Sequence, residues 1–334
     1  MKQTPLLTGG AIVERIVGNV TNPHGSERSV AAKGSLVQRQ GVRPPQDDAI
    51  GRALACVGDN CVDRYLAPIS RRFAAGNAVN VAVGLFRAGF AVDYFGAIGD
   101  DAAGEQIVAA LVGAGVGVDH VRRLSGPSSL TEIRLEAGER RFAGFSEGAA
   151  EQYLPSAVDL ADLRDRPLVH AVNLMDCRAL FSSLLAAGVP CSYDFDDARD
   201  LTLAEGLAVA FFSATADESV ADAQQLAMAA VRHGAGLAVV MCGARGSVGC
   251  DHERTFRLEA DPIMPVDTCG AGDSYIAAFL GAGLGGAGLE RCMRAGGRAA
   301  TVTCLSLSAL PIDDHSPKKS SSKTSAQPGV REVR

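Results

Sequence analysis

The chain has little lysine and no tryptophan. Its five lysines stand at positions 2, 33, 318, 319 and 323, so the stretch from Ala53 to Pro311 has none and takes its positive charge from arginine. That absence removes a lysine Schiff base and a G-x-x-x-x-G-K-[ST] phosphate loop from the chemistry open to this stretch. An anion held there must be met by backbone amides, helix N-termini, arginine or metal. Long apolar runs are missing too: none reaches the roughly 18–20 residues that cross a bilayer. The N-terminus lacks the basic start, apolar centre and small-residue cleavage site of a secretory signal. Nine cysteines are scattered without a C-x-x-C pair, mostly inside apolar runs such as Leu54-Ala55-Cys56-Val57. That is the pattern of buried free thiols, and it predicts a reducing, cytoplasmic setting without membrane attachment. The six histidines have no metal-ligand spacing. A formal net charge of −6 gives no basic field for nucleic acid.

What is present is a chain of ordinary composition, 47% apolar and 21% charged, with ample apolar content for a substantial core. Residues 1–52 are polar and weakly periodic, and 312–334 include Ser-Pro-Lys-Lys-Ser-Ser-Ser-Lys. Both are expected to be flexible extensions, the tail disordered, around a domain at 53–311. Within it, Leu54 to Gly58 reads as a buried parallel strand, Asn77 to Ala88 as a helix closed by Gly89, Ala91 to Ile98 as a strand and Ala102 to Val112 as a helix. Ser129 to Leu135 and Arg140 to Phe145 alternate in polarity about a turn at Ala137-Gly138, which predicts a small hairpin over the main domain. Strand-like runs at 168–172, 191–195, 209–212 and 237–241 alternate with helical stretches at about 176–187, 200–207 and 217–233. Two helices, 270–284 and 288–305, end the domain. Repeated strand–helix units predict an α/β fold with a parallel sheet between helical layers.

The most informative segment is Val266-Asp267-Thr268-Cys269-Gly270-Ala271-Gly272-Asp273-Ser274-Tyr275. Small residues let the chain turn tightly just before an apolar helix, bringing unpaired N–H groups and the positive end of the helix dipole to a ligand. This is an anion hole built without lysine. A carboxylate at Asp273 beside it could orient and deprotonate an attacking hydroxyl, although the helix start is expected to lower its pKa. The same residues would also make an ordinary capped helix. Gly113-Ala114-Gly115-Val116-Gly117 follows a helix instead of a strand, so it is a helix end and no dinucleotide loop.

Asp267 to Tyr275 resembles the C-terminal signature of the ribokinase (PfkB) family of carbohydrate kinases. Ala75-Gly76-Asn77-Ala78-Val79-Asn80 and Gly96-Ala97-Ile98-Gly99-Asp100 are similar to its N-terminal sugar-binding blocks, and Met241 to Ser247 to its nucleotide-side loop. The resemblance spans about residues 53–310 and implies a ribokinase-like three-layer fold with a mostly parallel sheet and a small β lid, its pieces at about 65–75 and 119–147. It narrows further: Val57 to Asp63, Ser146-Glu147-Gly148 and Tyr193 to Asp197 resemble the fructoselysine 6-kinases.

The resemblance implies ATP-dependent phosphorylation of a sugar hydroxyl, O6 of a fructosamine, with Asp273 as general base and Gly270, Ala271 and Gly272 as the anion hole. Asp59, Gly76, Asn77, Asn80 and Glu147 are the implied sugar-site residues. Gly243, Gly246, Thr268 and Glu218 fall on the nucleotide side, with Glu218 also the implied metal-positioning carboxylate. Arg199 and Arg245 stand either near phosphate or as solvated charges. ATP and Mg2+ are implied, a monovalent cation is optional, and a homodimer is compatible. Two positions depart from the family pattern: Ala75 replaces the first glycine of Gly-Gly-Asn, and Ser213 to Glu218 has no asparagine for Asn-x-x-Glu. Fructokinase, ribokinase, 2-keto-3-deoxygluconate kinase or nucleoside kinase activity, a sugar sensor without turnover, and a nicotinamide oxidoreductase are the competing functions.

Overall fold

The structure, a computed structural model, describes residues 52–136 and 139–309. The expected extension, apart from Arg52, the tail at 312–334 and the Ala137-Gly138 turn lie outside the described residues.

Short apolar runs form strands here because both of their faces are covered. β1 (Leu54–Gly58) is buried throughout. With a side-chain period of two, Leu54 and Cys56 enter one hydrophobic core while Ala55 and Val57 enter another on the opposite face. The lid strands β2 (Cys61–Tyr65) and β3 (Arg71–Ala75) follow, then helix α1 (Asn77–Arg87) and strand β4 (Val92–Ile98). Next come α2 (Ala102–Ala114), β5 (Gly117–Arg123), β6 (Leu130–Glu136), β7 (Glu139–Ser146) and α3 (Ala157–Leu163). β8 (Val169–Val172), α4 (Cys177–Ala186), β9 (Cys191–Asp194), β10 (Val209–Ser213), α5 (Val220–Arg232) and β11 (Leu237–Met241) continue the alternation. β12 (Ser247–Cys250), β13 (Thr255–Leu258), α6 (Ala271–Leu284) and α7 (Leu289–Cys304) complete it.

Nine strands form one sheet in the order β13-β12-β11-β10-β9-β8-β1-β4-β5. Its pairs are parallel except β11–β12 and β12–β13 at one edge. One core lies between the sheet and α1, α2, α6 and α7, and the other between the sheet and α4 and α5. The expected three-layer fold is therefore present. The chain runs from β1 to β4 on one side and later returns to β8 on the other. That reversal opens a crevice at the carboxyl ends of β1 and β8, where open α/β sheets bind their ligands.

The lid is larger than a hairpin: β3-β2-β6-β7 is a four-stranded sheet with its own small core of Tyr65, Phe73 and Ile133. The expected lid piece beginning near 119 differs from the structure, in which β5 pairs with β4 in the main sheet. The cause is the left-handed Gly115 cap of α2, which turns the chain straight back into a crossover strand. The stretch near 200–207 makes only one 3-10 turn, Leu201–Leu203, before Gly206 takes φ 78°. All nine cysteines are free, and all but Cys61 and Cys304 are buried.

Candidate active site

A cavity of about 460 Å³ opens between the lid and the carboxyl ends of the strands. Gly270, Gly272 and Asp273 form one wall of it. Gly270 caps α6 at φ 71°, and a Cβ there would come within 2.1 Å of the Ala309 Cβ. Only glycine fits that left-handed, crowded position. The Ala271 amide donates to the Thr268 carbonyl at 3.3 Å, whereas the amides of Gly270, Gly272 and Asp273 have no acceptor among the described residues. Gly272 has space around it, since an added Cβ would meet nothing nearer than the Met241 methyl at 3.6 Å. Its small size matters for what enters the cavity.

Asp267, six residues before Asp273 at the other end of the motif, stays out of the cavity lining and holds the loop. Its carboxylate accepts from Tyr65 Oη at 2.5 Å, from the Cys269 amide at 2.9 Å and from the Ser308 amide at 2.9 Å. The lid strand β2 is thereby tied to the anion loop.

Asp273 sits in the first turn of α6, buried, and accepts from Asn80 Nδ2 at 2.7 Å. Burial pushes its carboxyl well above the ordinary range, Asp194 and Asp59 push the same way, and the Asn80 bond and Arg140 oppose them. The expected acidification by the helix start is thus reversed: desolvation of the charge outweighs the dipole. Asp59 follows β1, accepting from the Ala78 amide at 3.1 Å and from Asn173 Nδ2 at 3.3 Å. It caps α1 from across the crevice, because the N-cap Gly76 has no side chain to do so. Gly76 itself has φ 117°, and a Cβ would lie 2.4 Å from the Asn60 Cα. Ala75, in place of the usual glycine, ends β3 in regular pairing with Cys61. Asp59, Gly76, Asn77 and Asn80 all line the cavity.

Other expected residues are placed differently. Glu147 is exposed and outside the lining, because the β7 strand ends before it and the chain turns under at Gly148. Glu151 lines the cavity instead, with its carboxylate fastened by Ser129 Oγ at 2.7 Å and the Gly148 amide at 2.8 Å. Thr268 lines the cavity, but Gly243 and Gly246 do not. They shape the turn from β11 to β12 at φ 57° and 90°, where a Cβ on Gly246 would fall 1.9 Å from the Leu258 carbonyl oxygen. Glu218 is also outside the lining; it accepts from Arg199 Nη2 and from the Thr215 amide, each at 2.7 Å. The Arg199 bond holds its carboxyl below the usual range. Arg245 donates to the carbonyls of Thr215, Ala216 and Glu218. Both arginines are therefore committed within the protein.

The sequence reading missed Arg140, Asp63, Asp194 and Asp196. Arg140 on β7 lines the cavity and donates to Cys269 Sγ at 3.4 Å, next to the anion loop. Its position on an alternating strand was legible, its facing was not. Asp194 ends β9 and binds the Asp196 amide at 2.9 Å, and burial pushes its carboxyl up to about 7. Asp196 lines the cavity in a left-handed conformation, φ 51°. Such a non-glycine outlier beside a cavity points to function. No group of three or more His, Cys, Asp or Glu among the described residues could cage a metal. These donors would fit a cation such as Mg2+ that keeps most of its waters and meets one or two carboxylates at most. Asp194 and Asp196 are two of the carboxylates that line the cavity. No described helix is long and apolar enough to cross a membrane.

Comparison with known proteins gives consistent results. The family model described as pfkB family carbohydrate kinase matches residues 60–187 and 201–314. A fructoselysine 6-kinase of Shigella flexneri is 35% identical over 257 residues, 75% of this chain and 97% of that protein. The fructosamine kinase FrlD of Bacillus subtilis (strain 168) is 30% identical, covering 75% and 90%. Among solved structures, Arabidopsis thaliana ribokinase complexed with ribose and ATP superposes with a TM-score of 0.68 at 23% identity, covering 77% of this chain and 94% of that one.

Proposed function

The chain belongs to the pfkB family of carbohydrate kinases, and we propose that its reaction is transfer of the ATP γ-phosphoryl group to O6 of a fructosamine such as fructoselysine. One observation carries the mechanism: a buried carboxylate, Asp273, stands in the same cavity wall as the amides of Gly270 and Gly272, which find no acceptor among the described residues.

In this reading Asp59, Asn77 and Asn80 orient the sugar. Asp273 accepts the proton of the attacking hydroxyl as the new O–P bond forms and the bond from the γ-phosphorus to the bridging oxygen breaks, releasing ADP. The amides of Gly270 and Gly272 meet the charge of the transferred group, and Arg140 adds a full positive charge from the lid. Mg2+, when bound with the nucleotide, neutralises phosphate charge and shapes the leaving group. Asp194 and Asp196 would hold it, and Thr268 lies on the nucleotide side. Because phosphoryl transfer rests mainly on positioning and electrostatics, the base need not be strong.

The acceptor class is supported by the relatives and by the cavity's charge. Among the described residues, Asp59, Asp63, Glu151, Asp194, Asp196 and Asp273 share the cavity lining with one arginine, Arg140. A sugar carrying a protonated amine suits that surplus of carboxylates better than a neutral hexose does. ATP consumption measured against fructoselysine, fructose, ribose and adenosine tests this. Fructoselysine should have the highest kcat/KM, with the phosphate on O6 by NMR. Preference for another sugar would move the enzyme within its family, and no turnover on any would favour a sensor.

A further inference from the structure

The lid strand β7 carries two phenylalanines three residues apart. In an unbroken strand, an odd separation sends two side chains to opposite faces. Yet Phe142 and Phe145 both line the cavity. The pairing explains it: Ile133 faces Phe142 while Glu132 faces Gly144, so Ala143 is an extra residue on β7. This β-bulge re-aims one ring onto the face of the other.

Neither ring is used to build the lid, whose small core is Tyr65, Phe73 and Ile133. Phe142 remains 66% exposed and Phe145 58%. Arg140, two residues before Phe142 on the same face, lies over that ring at 4.5 Å. The lid thus presents an apolar, aromatic surface across from the carboxylates. A bare hexose, held by Asp59, Asn77 and Asn80, has little use for it.

We propose that Phe142 and Phe145 bind the amine-linked chain on C1 of the acceptor and set a preference for a long chain over a short one. This deepens the fructosamine reading above and rests on it. Methylene groups gain by burial against ring faces, and a neighbouring ammonium gains from the rings' negative faces and from the opposing carboxylates. The bulge is what brings both rings to bear on one ligand.

The test compares wild type, Phe142→Ala, Phe145→Ala and the double variant on two acceptors with the same ring and amine: fructoselysine and fructosylmethylamine. Thermal unfolding and sedimentation are measured alongside. Wild type should bind fructoselysine with the lower KM. The double variant should raise that KM about tenfold, towards the value for fructosylmethylamine. The kcat values and the KM for fructosylmethylamine should stay within about twofold. Equal KM values in wild type, an equal loss on both acceptors, or a change confined to oligomeric state would overturn the proposal. If wild type phosphorylates neither fructosamine but accepts fructose or ribose, the acceptor class itself is wrong and this inference falls with it.

Discussion

Asp273 shows how a single residue's environment decides its chemistry. A carboxylate in the first turn of a helix is ordinarily acidified by the dipole. Here burial, with Asp194 and Asp59 nearby, drives the pKa the other way. Asn80 resists that drift through its 2.7 Å bond. Activity needs the ionised carboxylate, which is present above its pKa and lost as pH falls through it. Asn80→Ala should therefore move the acid limb of the kcat/KM profile to higher pH, with thermal unfolding confirming that the variant is folded. An unmoved limb would detach Asn80 from the base. The position proposed for the base was legible from Gly270-Ala271-Gly272-Asp273, because a tight turn before an apolar helix is a local signal. Its Asn80 partner stands 193 residues away, and nothing in residue periodicity pairs the two. The direction of the pKa shift was hidden for the same reason: it depends on burial by the whole fold.

At the scale of elements, the buried parallel strands were readable because two-sided burial leaves a short apolar run such as Leu54 to Gly58. The strands β12 and β13 were not, because Ser247-Val248-Gly249-Cys250 makes no apolar run and Thr255 to Leu258 is only partly buried, and β5 looked like lid because its side chains are mixed in burial. The bulge in β7 is invisible to any alternation rule, since it breaks the period that the rule counts. Loops were hardest of all. The Ser213 to Glu218 segment was expected to meet metal, yet Arg199 stitches Glu218 to the loop after β9, and Arg245 ties its carbonyls. Glu218→Gln should lower Tm by about 1–4 °C, as expected for a partly exposed ion pair. The Mg2+ concentration for half-maximal activity should not move. A tenfold rise in that concentration would return Glu218 to the metal.

Across the whole molecule, the site is an assembly of remote pieces. The turn after β1 supplies Asp59, α1 supplies Asn80, the lid strand β7 supplies Arg140, and the start of α6 supplies the amides and Asp273, all around one cavity. The sheet brings them together by reversing its direction of growth beside β1, so that the crevice falls where helix starts and strand ends converge. The architecture was legible from the strand–helix alternation, while the convergence was not, because sequence order does not report which ends meet. The central claim is that this convergence serves one proton transfer beside one anion hole. Kinetics of Asp273→Asn, with ATP binding measured by calorimetry on the same preparation, test it most directly. The variant keeps the side chain's shape and its place beside Asn80 but cannot take the proton. The expected result is a fall in kcat of about 10²–10⁴-fold with ATP affinity nearly unchanged; turnover within about twofold of wild type would contradict the account.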